Sequence, residues 1–119
     1  RLILMALTES TEYDKIEVVG QYKSVQVRKA TIIKKDGVEM VGARSFERYT
    51  LQCGTLKGGF KEDGITPADD ANDFVDNPLD KENDGVTAIP NEVKDICNLV
   101  WTTDIKTAYK AKLIADKSI

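Results

Sequence analysis

Four residues late in the chain have the types and spacing for metal chemistry. Asp80, Glu82 and Asp84, followed by Gly85, resemble the D-x-[DN]-x-[DN]-G opening of a calcium-binding loop. Alternating carboxylates would offer hard oxygen ligands, and the glycine would permit the sharp bend that aims them. The match is partial. The closing bidentate Glu should fall on Asn91, and Glu92 comes one residue late. Asn77-Pro78 occupies the place of an entering helix. A solvated acidic loop therefore fits these residues better than a full oxygen cage, and a small calcium-stabilised interaction domain is the lesser reading.

The second chemical signal is basic. Residues 15–61 carry ten Lys or Arg against four Asp or Glu, whereas residues 62–87 carry nine acids against Lys81 alone. Lys23, Arg28, Lys34, Lys35, Arg44 and Arg48 are candidates for contact with RNA or DNA, with Tyr22, Phe46 and Tyr49 as nearby aromatics. Such cations can neutralise phosphates and release counterions. They can equally keep strand edges soluble. The whole-chain charge of −3 weighs against strong non-specific binding.

Catalytic chemistry has little to work with. The chain has no histidine, so neither a Ser-His-Asp nor a Cys-His pair can form. Cys53 and Cys97 are too few for a four-cysteine zinc site and read as buried reduced thiols. No P-loop or dinucleotide-binding glycine motif is present. The acids crowd into a segment where nothing rigid aims them. The expectation is a protein that is not an enzyme, has no catalytic residue and uses no cofactor.

The elements that must position these groups divide the chain into four stretches. Residues 1–14 form an N-terminal segment, with Met5 as an alternative start. Residues 15–53 read as a β-meander: Lys15–Gly20, then Tyr22–Lys34, then Val38–Cys53. Asp36-Gly37 between two β-branched runs is a strong hairpin signal, because a type I′ turn needs positive φ at both central residues. Gly42 marks a bulge or bend. After it, Tyr49, Leu51 and Cys53 share one face while Phe46 and Arg48 share the other, a mixture that suits a rim or subunit contact. Residues 54–88 have no period and many breakers, and read as an irregular acidic arm that Phe60, Phe74, Val75 and Leu79 could pin to a surface. No internal repeat is apparent. In residues 89–119, Pro90 suits the first position of a helix through Val93, Ile96, Cys97 and Val100. Thr103 suits the cap of a second helix carrying Ile105, Ala108, Tyr109 and Leu113. One mainly β domain with C-terminal helices results, of the α+β class. No apolar run approaches the ~20 residues that span a membrane.

Several stretches also resemble, in order, a marine-metagenome family of cyanophage origin. These are residues 5–20, Gln26-Val27-Arg28, Ile33-Lys34-Lys35-Asp36-Gly37, Arg44-Ser45-Phe46, and Ile96-Cys97-Asn98-Leu99-Val100-Trp101-Thr102. That family is similar in fold to Sm-like proteins. The resemblance implies a small, strongly bent antiparallel barrel assembling into homo-oligomeric rings. It implies a nucleic-acid role or, alternatively, a structural role with other proteins of the phage particle, in the host cytoplasm or the virion. Val41-Gly42-Ala43 and residues 54–87 would be additions to the family pattern, the second a long acidic insertion. The Sm motifs themselves are absent, so no RNA-contacting residue is carried over.

Overall fold

The computed structural model describes residues 7–117. The proposed start at Met5 lies outside the described residues.

The fold is built around strand β2, Ser24–Lys35. Its Val25, Val27, Thr31, Ile32 and Ile33 suit a pleated surface. β1, Leu7–Val19, pairs antiparallel with it from Leu7↔Lys35 to Val19↔Ser24. On the other side of β2 lie β3, Val38–Glu39, and β4, Ser45–Leu51. The β2–β3 turn is the expected one: Asp36 and Gly37 have φ of 52° and 84°. Gly42, at φ 77°, lies in the bend that separates β3 from β4.

β1 starts earlier than the sequence suggests. Residues 7–14 are not a separate segment but the outer half of a 13-residue strand. They were hard to read because Thr8-Glu9-Ser10-Thr11-Glu12 has no apolar face; pairing with β2, not burial, holds them extended. The register shifts between Tyr13 and Lys15, leaving Asp14 as a bulge residue.

One face of the inner half of this sheet is packed. Val25, Val27 and Tyr49 join Cys53, Leu79, Ile89, Val93, Cys97 and Trp101 in the main core. Two helices follow, α1 (Asn91–Val100) and α2 (Thr103–Asp116). Val93 and Cys97, four apart, form the buried stripe of α1, and Trp101 extends it. Pro90 is the N-cap of α1 rather than its first residue, with extended backbone at ψ 149°. Thr102, not Thr103, caps α2, accepting from the Ile105 amide at 3.3 Å. α2 buries no residue and rests on the chain through contacts such as Tyr22–Tyr109, whose rings are 5.5 Å apart.

The acidic arm is ordered, not irregular. β5, Gly54–Leu56, pairs with β6, Phe74–Asp76. Phe74 and Leu79 pin the arm to the core, whereas Phe60 and Val75 stay exposed. A repeat also emerges, contrary to the sequence reading. Lys61–Thr66 and Glu82–Thr87 build the same turn 21 positions apart. In each, the Asp carboxylate accepts from the two following amides at 2.8–2.9 Å and from the Thr hydroxyl at 2.5 Å. In each, the first residue's amide donates to the Thr carbonyl at 2.8 Å, and Gly64 and Gly85 take φ of 70° and 74°.

The result is mainly β with two C-terminal helices, in antiparallel sheets. Both sheets are open: among the described residues, β1 and β4 each pair with β2 alone, and no barrel closes. No residue from 30 to 48 joins the main core, so the outer end of the hairpin stands clear of it, in a chain measuring 71 × 32 × 24 Å.

Candidate functional site

Two constellations occupy opposite faces of the main sheet. On the packed face, Glu82 is turned inward from the head of the second turn, with its side chain 0% exposed. Its Oε2 accepts from the Tyr49 hydroxyl at 2.6 Å and the Tyr13 hydroxyl at 3.1 Å; its Oε1 accepts from Lys29 Nζ at 2.8 Å. β1, β2 and β4 thus each contribute one donor. Tyr13 and Lys29 are register partners, and Tyr49 lies opposite Val27, two residues away on the same face. A buried carboxylate demands such pairing, since taking a charge out of water costs several kcal/mol. Burial and the Glu82 hydrogen bond both raise the pKa of Tyr49 and Tyr13, so the phenols remain donors. The Glu82 hydrogen bond likewise raises that of Lys29, keeping it cationic.

This geometry reassigns the carboxylates of the candidate calcium loop. Glu82 points into the sheet. The Asp84 carboxylate is consumed by its own turn, where the Thr87 hydroxyl and the Val86 and Thr87 amides hold its pKa down to about 2. Asp80 is exposed, 4.0 Å from Lys81. Asp80, Glu82 and Asp84 do not converge, and no cluster of three acidic or sulfur ligands among the described residues could hold an ion.

The opposite face is open. Lys15 and Glu17 of β1, Gln26 and Arg28 of β2, and Arg48 and Thr50 of β4 line a cleft of about 270 Å³. Arg28 and Arg48 are direct cross-strand partners. Like charges in that relation repel. Arg28 is neutralised: its Nη2 lies 2.6 Å from Asp14, its Nε donates to the same carboxylate at 2.9 Å, and its guanidinium sits 4.5 Å from the Phe46 ring centre. Lys15 pairs with Glu17 at 2.7 Å. Arg48 has no ion-pair or hydrogen-bond partner among the described residues, where ten ion pairs are found.

The six basic candidates are therefore not one stripe. Only Arg28 and Arg48 share the cleft. Arg44 forms a two-pronged pair with Glu39 at 2.7 and 3.0 Å and approaches Glu12. Lys34 and Lys35 are at the far hairpin end, exposed. Lys23 lies in the β1–β2 turn, at φ 54°, its carbonyl accepting from the Trp101 indole at 2.7 Å. The sequence count stopped at residue 15 and so left out Asp14 and Glu12, which fold against two of these arginines.

Sequence reasoning missed the Glu82 hub, Tyr13 and the paired turns. The signal for the turns was present: Asp63-Gly64-Ile65-Thr66 and Asp84-Gly85-Val86-Thr87 match at a fixed spacing. Nothing in the sequence marked Glu82 among nine neighbouring acids as the one turned inward.

Fold and site together define an open-edged α+β protein whose acidic arm is locked to one sheet face. No protein family, curated protein or solved structure matches the chain.

Proposed function

We propose that this protein is a non-catalytic assembly component that works as a homo-oligomer. One observation carries the reading: β1 and β4, the outer strands of the main sheet, each keep an unpaired edge among the described residues. Such edges are templates for pairing with another chain. The hairpin end that stands clear of the core gives a neighbour access to them. Leu7, Val38, Met40 and Val41 are exposed there, apolar side chains that a neighbour would cover.

The resemblance to a cyanophage family with an Sm-like fold supports a ring as the form of this oligomer. In that reading, neighbouring copies complete what a single chain leaves open, and the ring serves as a structural part of a phage particle. Light scattering on the intact chain across a concentration series tests the assembly. A closed species of several copies is expected. A monomer at every concentration would refute the reading. Mass spectrometry of purified phage particles would then decide the structural role, by the presence or absence of the chain.

A further inference from the structure

The two turns are built alike but used differently. The second is docked, with Glu82 under the sheet. The first carries Lys61 at the equivalent position, and among the described residues Lys61 pairs only with Asp69, at 3.1 Å. Its apolar side chains face solvent: Ile65 is 81% exposed and Phe60 66%. Glu62, beside them, is exposed and belongs to no ion pair among the described residues. Five internal hydrogen bonds fix this turn, so ordering it on a partner costs little further entropy.

The sheet offers a matching vacancy. One face has received an acidic side chain from a turn; the other holds Arg48 without a partner, opposite Arg28. Phe46 lies on that face, two residues from Arg48, and Val19 lies on it beyond Glu17; both are exposed. A carboxylate placed there would neutralise Arg48, and apolar side chains beside it would cover Phe46 and Val19.

We infer that the first turn of one copy docks into the Arg28–Arg48 cleft of a second copy, with Glu62 meeting Arg48 and Phe60 and Ile65 covering Phe46 and Val19. This rests on the self-assembly reading and names one of its contacts. A second copy is favoured over nucleic acid because the cleft is nearly neutral apart from Arg48. Asp14 and Glu17 offset Arg28 and Lys15, which suits one carboxylate better than a run of phosphates. The contact joins two different surfaces of the chain, so it propagates into a closed ring or a filament.

Charge reversal tests the contact. Arg48→Glu and Glu62→Arg are both exposed changes, and circular dichroism should show both variants folded. Each alone is expected to weaken self-association roughly tenfold or more, because like charges then face each other in the contact. The chain carrying both reversals should recover it. Self-association of the parent chain that neither reversal weakens would overturn this contact while leaving edge pairing intact. A parent chain that is monomeric throughout would remove both. A third arm uses a fluorescent single-stranded oligonucleotide. If Arg48→Glu abolished its binding while leaving self-association unchanged, the cleft would be a nucleic-acid site and the inference wrong.

Discussion

The Tyr49 hydroxyl donates to Glu82 at 2.6 Å across 33 positions of sequence, and this bond fastens the acidic arm to the sheet. Lys29 and Tyr13 complete the fastening. Removing the carboxylate strands a Lys29 that is mostly buried. Glu82→Ala should therefore cost about 3–5 kcal/mol, the usual price of breaking a buried ion pair from one side. Glu82→Gln, which retains an acceptor, should cost less. Urea unfolding monitored by Trp101 fluorescence measures both. Equal, near-zero losses would mean that the hub contributes nothing to stability.

The twin turns should resist acid. Asp84 is held down to about 2, from the Thr87 hydroxyl bond first and the two amides next, and Asp63 is lowered by the same contacts. A carboxylate depressed in the folded state lends stability above its ordinary value near 4, and that stability is lost as pH falls through the folded value. Protection of the Val86 and Thr87 amides, taken relative to the intrinsic exchange rate at each pH, should hold at pH 4 and fall only toward pH 2. Asp84→Ala should expose both amides already at neutral pH.

Gly54 leaves no room for a side chain. A Cβ there would lie 2.4 Å from the Val75 carbonyl oxygen and 2.4 Å from the Phe74 ring. The carbonyl cannot swing aside without parting β5 from β6. Gly54→Ala should cost about 1–3 kcal/mol, as overpacking does. It should also lower amide protection in β5 and β6 ahead of β2. Unchanged exchange across that pair would contradict the packing described.

Both thiols should be silent in the folded protein. Burial pushes Cys97 up to about 11 and raises Cys53 as well. Only the thiolate reacts, so a thiol probe at pH 8 should label neither residue until denaturant is added, then both. Rapid labelling of one thiol in the native state would show that its part of the core opens.

The legibility of this chain in sequence follows its burial. β2 and α1 have apolar periods because each buries one face, and Asp36-Gly37 declared its turn through backbone chemistry. The outer half of β1 gave no period because it covers nothing. The helix caps were displaced by one residue, since Pro90 and Thr103 suit positions on either side of the boundary. The sites were harder to see. Which arginine is free depends on where Asp14 and Glu39 fold, and which acid is buried depends on the docking of the arm. Neither is local information.

The bulge at Asp14 has a consequence for anyone editing the gene. Tyr13 faces the Glu82 hub, and Lys15, two residues on, faces the cleft, because Asp14 is extra to the alternation. Deleting codon 14 would therefore make Tyr13 and Lys15 direct neighbours, with Tyr13 still on the hub, Lys15 still on the cleft and Ile16 still on the core. A lesion of three nucleotides would thus leave inside and outside in place along the strand and read out as the loss of one carboxylate, the counter-charge of Arg28.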